Sequence, residues 1–283
     1  MPDVSILLPI KLPDPRLLAV ALESVVNQSF EDWELLLLDA SPGSEASDSL
    51  PYLTDRRIRH VRLHGAHSLT EQLNCGLEMS SCDIIARADA DDVNESWRLE
   101  TQLRWMQDHS EIAVLGTAIT LIDDEGQAKR VRQYPQTPDS IRRRMRSFNA
   151  VAHPTVVMRR EAVLSAGGYQ FSGRPAQDYE LWSRMIASGH NLANLPDATV
   201  RYRLHRGSVK SQRLRETLRS TLEVKETYWR EEMTWSEQLR YQLERRLHHL
   251  PAALVQWLFL RLETQPVGSR MRPRCDNTTA ATR

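Results

Sequence analysis

Short apolar runs alternate with segments of helical periodicity over the first two hundred or so residues of the chain. Between the runs, apolar residues recur at helical spacing from Leu18 to Val26 and from Leu69 to Leu77. The runs have the length and composition of buried strands and cover residues 4–9, 34–39, 58–63 and 83–88. Strands that alternate with helices predict βαβ units and a parallel sheet with helices on both faces.

Local start signals support both helices. Asp14 followed by Pro15 supplies an N-cap and a proline at the first helical position. Ser68 and Glu71 have the spacing of a capping box. We therefore predict that the two helices begin directly after Asp14 and Ser68.

The pattern is less regular beyond residue 110. Residues 112–122 read as one long strand or a strand pair, and residues 199–204 read as a last strand. Residues 177–188 have helical periodicity, and Gly189 follows where a helix ends in the left-handed conformation. The whole pattern predicts an α/β fold with a Rossmann-like, mostly parallel sheet flanked by helices.

The composition changes after residue 212 to Arg, Glu and Leu, with three tryptophans, which predicts a helical extension. Basic residues there precede an apolar and aromatic run, so one interpretation is peripheral contact with a membrane through residues 240–262. The alternative is an amphipathic helix packed on the preceding α/β domain. We divide the chain into this α/β domain, a helical extension and a tail that we expect to be disordered, at residues 1–212, 213–265 and 266–283.

Charge and cysteine usage exclude some classes of protein. The 37 basic side chains balance the 37 acidic ones among 283 residues, which argues against a dedicated nucleic-acid binder. The three cysteines lack metal-site spacing, and no basic, then apolar, leader opens the chain, so we expect a cytoplasmic protein. The longest apolar run, residues 250–262, is too short to span a bilayer.

Three carboxylates follow the predicted strand at residues 83–88: Asp89, Asp91 and Asp92. Ligands of parallel sheets bind beyond the carboxyl ends of the strands, where Asp39 also falls. On an extended segment Asp89 and Asp91 point to one side, so they could share a hard cation such as Mg²⁺ or Mn²⁺. A calcium loop is disfavoured because its central Gly and final Glu are missing. A solvated acidic turn remains the alternative.

Several stretches occur in the order found in family 2 glycosyltransferases: "VSILLP", "ELLLLDAS", "LTEQLNCGLEMSSCDIIARADADD" and "HPTVVMRREAVLSAGGY", followed by "AQDYELWSRM" and "VRYRLHRGSV". The resemblance covers about residues 4–212. It implies the GT-A fold and a nucleotide-sugar-dependent enzyme of the hexosyltransferase type, active in polysaccharide biosynthesis.

The resemblance assigns roles residue by residue. Asp89 and Asp91 match the family's D-x-D motif, which implies binding of ribose and of a divalent metal, Mn²⁺ or Mg²⁺, on the diphosphate. The role of Asp92 stays open. The residues that match positions binding the nucleotide sugar are Pro9, Asp39, Asn74, Arg87, Asp89 and Asp91.

Asp178 in "AQDYELW" matches the general base of inverting members. The chemistry fits, because the acceptor hydroxyl must lose a proton as it attacks the anomeric carbon. A metal-bound diphosphate, in turn, leaves without protonation. The position of Asp178 at a helix start favours its ionised form. The alternative is a simple N-cap.

Flanking residues give further predictions. His153 and Trp182 are candidates for the acceptor side, with plain core positions as the alternative for both. Arg203, His205 and Arg206 match a mobile segment that closes on the diphosphate in related enzymes; the alternative is a basic surface loop.

The chain departs from the family pattern at Ile10-Lys11-Leu12, at Ala40 and at Gln177. We still predict an active, inverting glycosyltransferase with a UDP-sugar donor and a glycan or lipid-linked glycan as acceptor. One rival is a catalytically impaired, glycan-binding pseudoenzyme. The other is a sugar nucleotidyltransferase, which would need a Gly-rich loop that "PIKLPDPR" lacks.

Overall fold

The structure is a computed structural model that describes residues 2–43, 54–65, 68–204 and 214–247. Over these residues, nine strands form one sheet in the order β3-β2-β1-β4-β8-β6-β9-β5, with β7 paired to β6. The strands are β1 (Val4–Ile10), β2 (Trp33–Asp39), β3 (Ile58–Arg62), β4 (Ile84–Arg87), β5 (Val93–Asn94), β6 (Ile112–Ile122), β7 (Ala128–Arg132), β8 (Val157–Arg159) and β9 (Asn191–Arg203).

Helices cover both faces of the sheet. Two lie in the extension after residue 212, and the first of these continues into a π-helical turn over Lys225–Trp229. The helices are α1 (Pro15–Val26), α2 (Leu69–Met79), α3 (Arg98–Asp108), α4 (Pro138–Met145), α5 (Arg160–Ser165), α6 (Gln177–Ala187), α7 (Leu214–Val224) and α8 (Trp235–Leu247).

The predicted α/β fold class is confirmed. Strands β3, β2, β1 and β4 are parallel, as the alternation of strand and helix predicts. Beyond β4 the sheet is mixed, because β8 is antiparallel to both β4 and β6 while β9 runs parallel to β6. Both predicted helix starts are present: Asp14 caps α1, and Ser68 with Glu71 forms the capping box of α2.

Alternate residues of the central strands feed two cores. On β2, Leu36 and Leu38 face the core beneath α2 and α6, while Leu35 and Leu37 face the core beneath α1 and α3. Helix α2 lies very close to the sheet at Gly76, where an added Cβ would come within 2.7 Å of the Leu38 side chain. The absence of a side chain at Gly76 therefore allows α2 to pack closely on β1 and β2.

The described part of the C-terminal extension packs on α6. Trp229 is 1% exposed, and its indole N–H donates to Ser183 Oγ at 2.8 Å. Tyr228 donates to Glu180 Oε1 at 2.9 Å, and Arg174 pairs with Glu223 at 2.5 Å. The extension therefore adds to the same hydrophobic core as α6.

Only residues 240–247 of the predicted membrane contact at 240–262 are among the described residues. Arg240 stacks on Phe148 at 4.0 Å and bonds Glu244 at 3.0 Å, so it packs on the protein. Residues 248–262, and the tail at 266–283, lie outside the described residues. Within the described ranges, no helix has the length and apolar character needed to cross a bilayer.

Candidate active site

The carboxyl ends of β1 and β2 lie side by side, with Ile10 of β1 opposite Asp39 of β2. A buried amide from α2 ties these ends together. With its nitrogen oriented as donor, Gln72 reaches the carbonyl oxygens of Leu38 at 2.8 Å and Ile10 at 3.2 Å. Pro9 is buried within β1 next to this junction. The predicted nucleotide-side residues Pro9 and Asp39 are thus brought to one edge of the sheet.

Asp39 is buried, and partners from two elements hold its carboxylate. His60 Nε2 on β3 lies 2.9 Å from Asp39 Oδ2, and the Ser41 N–H donates to Oδ1 at 2.9 Å. Ser41 Oγ in turn accepts from the Leu12 N–H at 2.9 Å. Leu12 has a φ of +51° and is 67% exposed. Of the Ile10-Lys11-Leu12 departure, Ile10 is thus the buried end of β1, while Lys11 and Leu12 form an exposed turn beside Asp39 that is strained at Leu12.

The acidic turn begins where β4 ends. Arg87 is 1% exposed, and its guanidinium donates to Asp89 Oδ1 at 2.6 Å and to the Ala88 carbonyl. The Asp89 side chain keeps 29% of its surface exposed. A buried cation thus fixes the first carboxylate of the motif while part of that carboxylate faces solvent.

Asp92 turns into the protein, unlike its two neighbours. It is 2% exposed, and its Oδ1 accepts from the Arg203 backbone N–H at 2.8 Å. Its Oδ2 is buried without a hydrogen-bond partner among the described residues. Burial, together with the charges of Asp89 and Asp91, raises the pKa of Asp92 well above its ordinary value.

A second buried arginine supports the turn from below. Arg98 on α3 donates to the Arg87 carbonyl at 2.9 Å and to the side chains of Gln102 and Asn94. Complete burial, with a smaller contribution from the charge of the neighbouring Arg87, lowers the pKa of Arg98 to about 9. Backbone and side chains around the acidic turn are therefore fixed before any ligand binds.

The donor set fits a hard cation that is shared with a phosphate ligand. Asp89 and Asp91 are both partly exposed at the turn, and carboxylate oxygen is the preferred ligand of Mg²⁺. Within the described ranges, no group of three or more His, Cys, Asp or Glu side chains converges as a complete site. Mg²⁺ usually takes one or two protein carboxylates and completes its shell with water and phosphate oxygens.

Asp178 lies on a different element, in the first turn of α6. The N-cap of this helix is Ala176, in a left-handed conformation with a φ of +64°, so Asp178 is not the N-cap. Its Oδ1 accepts from the Tyr179 N–H at 2.8 Å and its Oδ2 accepts from Asn149 Nδ2 at 2.7 Å. The carboxylate is half-buried. Strained backbone directly before it is typical of functional positions.

Tyrosines near the two carboxylate sites have raised pKa values. Burial raises the pKa of Tyr169, with smaller contributions from the charges of Asp178 and Asp89. Burial also raises the pKa of Tyr202, and the three carboxylates of the acidic turn raise it further. Tyr134 and Tyr202 are partly buried against one small apolar cluster. Asp89 and Asp178 are therefore both near Tyr169.

Comparison with known proteins decides the family. The model of "Glycosyl transferase family 2" matches residues 5–165. The chain is also 32% identical over 201 residues to "Amylovoran biosynthesis glycosyltransferase AmsE" of Erwinia amylovora, covering 70% of this chain and 75% of that protein. The chain belongs to glycosyl transferase family 2.

Other proteins place this glycosyltransferase in the same group. It is 30% identical to the Escherichia coli protein "O-antigen biosynthesis glycosyltransferase WbnJ", over 69% of this chain and 77% of that one. The solved structure of S. aureus TarS 1-349 in complex with UDP-GlcNAc superposes with a TM-score of 0.62 at 15% identity, over 78% of this chain and 66% of that one. The latter likeness shows that the fold is GT-A-like, as the sequence motifs imply.

Trp182 occupies the core position that the sequence left open as its alternative. The residue is 0% exposed and belongs to the main core of the glycosyltransferase. It shares a helix face with Asp178, but that face of α6 is covered after its first turn, and a contact with the acceptor stays a prediction. His153 is also a core residue: it packs against Trp182, its Nε2 lies 2.9 Å from Tyr169 Oη, and burial lowers its pKa well below the ordinary value.

Arg203 lies at the end of a strand. It is the last residue of β9 and 7% exposed, and it donates to the carbonyl oxygens of Asp91, Asp123 and Asp124 at 3.0, 2.9 and 2.9 Å. These contacts join Arg203 to the acidic turn; its predicted part in closing on the diphosphate stays a prediction. His205 and Arg206, predicted for the same segment, lie outside the described residues.

Asn74 joins helix α2 to the loop that precedes α6. Its Nδ2 donates to the Tyr169 carbonyl at 2.8 Å, and its Oδ1 accepts from the Tyr169 N–H at 2.8 Å. Gly168 has a φ of +63°, and a Cβ there would lie 2.8 Å from Asn74 Oδ1. Asn74 thus holds the loop before α6 in place; its predicted contact with the nucleotide sugar stays a prediction.

Sequence reasoning missed three residues of the site: Asn149, Gln72 and His60. Each contacts a residue far away along the chain, as the 29 positions between Asn149 and Asp178 illustrate. No local spacing rule reports such a contact. Of these three residues, only His60 has a local signal that could have pointed to the site: it is a polar residue within a strand, β3.

Proposed function

We propose that this glycosyltransferase is inverting and moves a sugar from a UDP-sugar to a hydroxyl of a glycan or lipid-linked glycan during polysaccharide assembly. The observation that supports this most directly is that Asp89, bonded to Arg87 at the end of β4, and Asp178, in the first turn of α6, both lie near enough to the buried Tyr169 for their charges to contribute to its raised pKa. Donor-side and base-side carboxylates near one another are what a single displacement at a sugar carbon requires.

The donor side consists of Asp39 and the acidic turn. Asp39 and Pro9 would contact the nucleoside, while Asp89 and Asp91 would hold Mn²⁺ or Mg²⁺. Bound there, the metal would supply Lewis acidity that neutralises charge on the departing diphosphate. Arg87 keeps Asp89 oriented for that contact. Asp92, being buried against Arg203, would support the turn and not face the ligand.

Asp178 would act as the general base. The acceptor oxygen forms a bond to the anomeric carbon as the bond from that carbon to the diphosphate oxygen breaks, and the diphosphate leaves with the electron pair. The acceptor proton passes to the Asp178 carboxylate. Attack opposite the leaving group inverts the anomeric centre, so the reaction needs this single carboxylate and no covalent intermediate.

Known relatives support the substrate class. A 26% identical Escherichia coli protein is "UDP-Gal:alpha-D-GlcNAc-diphosphoundecaprenol beta-1,3-galactosyltransferase", a name that includes a UDP-sugar and a lipid-linked acceptor. AmsE and WbnJ are named for amylovoran and O-antigen biosynthesis. Cys75 and Cys82 are free cysteines; a cytoplasmic location stays a prediction. Peripheral membrane contact through residues 240–262 stays a prediction.

Transfer assays with purified protein test the proposal. UDP release is measured with UDP-GlcNAc and UDP-Gal as donors and a lipid-diphosphate-linked sugar as acceptor, with Mn²⁺ or with a chelator. We expect the chelator to abolish release and Asp178→Asn to lower it by about 10²- to 10⁴-fold, the usual worth of a general base. Asp197→Asn is the matched control, because Asp197 is exposed on β9. Full transfer by Asp178→Asn would show that the base is another group.

A further inference from the structure

We propose that Asn149 is a positioning residue that orients the Asp178 carboxylate and stabilises it in its ionised form. The inference rests on the proposed role of Asp178 as the base. Asn149 does not touch the substrate in this proposal; it acts through Asp178.

The contact is short and joins two separate segments. Asn149 Nδ2 lies 2.7 Å from Asp178 Oδ2, between the loop after α4 and the first turn of α6. A second hydrogen bond links α4 and α6 directly: the buried Tyr179 hydroxyl donates to the Met145 carbonyl at the end of α4. The loop is also anchored by Asn194, whose amide donates to the Ala150 carbonyl at 3.0 Å. Asn149 therefore has little freedom to move away from Asp178.

The orientation of the Asn149 amide follows from its other partner. The Val151 N–H lies 3.2 Å from Asn149 Oδ1, and a backbone N–H can only donate. The oxygen of the amide must therefore face Val151, which leaves the NH₂ group to face Asp178. An amide NH₂ group only donates and cannot accept a hydrogen bond from a carboxyl O–H. The contact is therefore favourable to the carboxylate and unfavourable to a neutral acid protonated on that lone pair.

Asp178 is held by neutral donors on both oxygens, Asn149 Nδ2 and the Tyr179 N–H. A carboxylate oxygen can accept more than one hydrogen bond, so the contact with Asn149 does not by itself block protonation of Asp178. Tyr134 and Tyr169 are the ionisable side chains of other elements whose pKa values are raised in part by the Asp178 charge. The charges of Arg132 and Arg87 act in the opposite direction and lower the pKa values of Tyr134 and Tyr169, respectively. On α6 itself, Glu180 is paired with Arg184.

The pKa of Asp178 itself is the decisive measurement, since it needs no substrate. Protein labelled with ¹³C-aspartate is titrated by NMR, and the carboxyl resonance missing from Asp178→Asn is assigned to Asp178. We expect the midpoint to rise by about one pH unit in Asn149→Ala, because one charge-assisted hydrogen bond is lost. It should rise further in the isosteric Asn149→Asp, where two carboxylates face each other. Gln133→Ala, which removes an exposed amide bonded to the Pro196 carbonyl, should leave the midpoint unchanged.

Kinetics separate this proposal from the proposed function. With Asn149→Ala, we expect the acid limb of the kcat profile to move to higher pH by the same interval, with an unchanged KM for the donor. An unmoved titration midpoint in Asn149→Ala would overturn the proposal, and Asp178→Asn inactivity would still support Asp178 as the base. If Asp178→Asn keeps full activity, the base is wrong and Asn149 loses its catalytic purpose, even if the midpoint moves.

Discussion

The acidic turn at Asp89 to Asp92 and the helix start at Asp178 both present carboxylates to one region of the protein, but their partners differ. Cations support the turn, with Arg87 bonded directly to Asp89. Neutral donors, Asn149 and the Tyr179 N–H, hold Asp178. A cationic partner keeps a carboxylate ionised as a ligand. Neutral donors orient a carboxylate and leave it basic enough to take a proton.

The strongest test of the difference is to remove the cation beneath the turn. Arg87→Met should lower the free energy of unfolding by about 3 kcal/mol, because it removes a buried guanidinium and leaves Asp89, whose side chain is 29% exposed, without its cation. Arg201→Met is the control: Arg201 is half-exposed in its pair with Glu95, so the change should cost about 1 kcal/mol or less. Denaturant unfolding measures both. Equal, small losses would mean that the turn does not depend on its buried cation.

Ligand binding should distinguish the two sites next. With UDP and Mn²⁺ at about 100 times their Kd, the wild-type protein should be stabilised by about 2.7 kcal/mol. Thermal shift should show that Asp91→Asn loses this stabilisation and that Asp178→Asn keeps it, since only the turn is proposed to hold the metal. A loss in Asp178→Asn as large as in Asp91→Asn would place Asp178 on the donor side.

The link between the sites gives a third prediction. Gly168→Ala should cost about 1–3 kcal/mol, from its left-handed backbone and from displacement of Asn74. Gly173→Ala has a similar φ, +66°, but nothing within 4 Å of an added Cβ, so it should cost less, about 1–2 kcal/mol. Thermal unfolding compares them. If the two variants lose the same stability, the close contact at Asn74 contributes nothing.

The smallest effect concerns His153, which is buried and has a lowered pKa. Below about pH 6.5 the unfolded chain binds a proton that the folded chain does not, so the free energy of unfolding should fall as the pH falls, by up to about 1.4 kcal/mol per pH unit. Above this pH the effect vanishes. His153→Gln should show a shallower fall between pH 6.5 and the folded pKa. Parallel curves for both proteins would show that folded His153 titrates normally.

The sequence predicted most of the first half of the sheet because its signals are local. The start of α2 follows from Ser68 and Glu71, and the strand at β2 follows from an apolar run. The start of β9 at Asn191 was not predicted, since Pro196 and Asp197 interrupt its apolar pattern. Beside Pro196, β9 shifts its register against β6 between Thr117 and Ala118.

A site residue could be predicted from the sequence when it belongs to a recognisable motif. It could not be predicted when its position depends on tertiary packing. Asp89, Asp91 and Asp178 could be named from sequence, although their roles stay predictions. The periodicity of α6 gives the face of Trp182 but not whether another element covers that face. The burial of Asp92 and the inward role of Arg203 depend on pairing between residues 111 positions apart.

The packing of the C-terminal extension has a consequence for protein engineering. Ser183, which accepts a bond from Trp229, and Glu180, which accepts one from Tyr228, are on the helix that carries Asp178. A chain truncated after β9, at the end of the recognisable motifs, would expose an apolar flank of this helix to water. Chimeras of this protein and its relatives should therefore take α6 and residues 214–233 from the same parent, because these residues cover that helix.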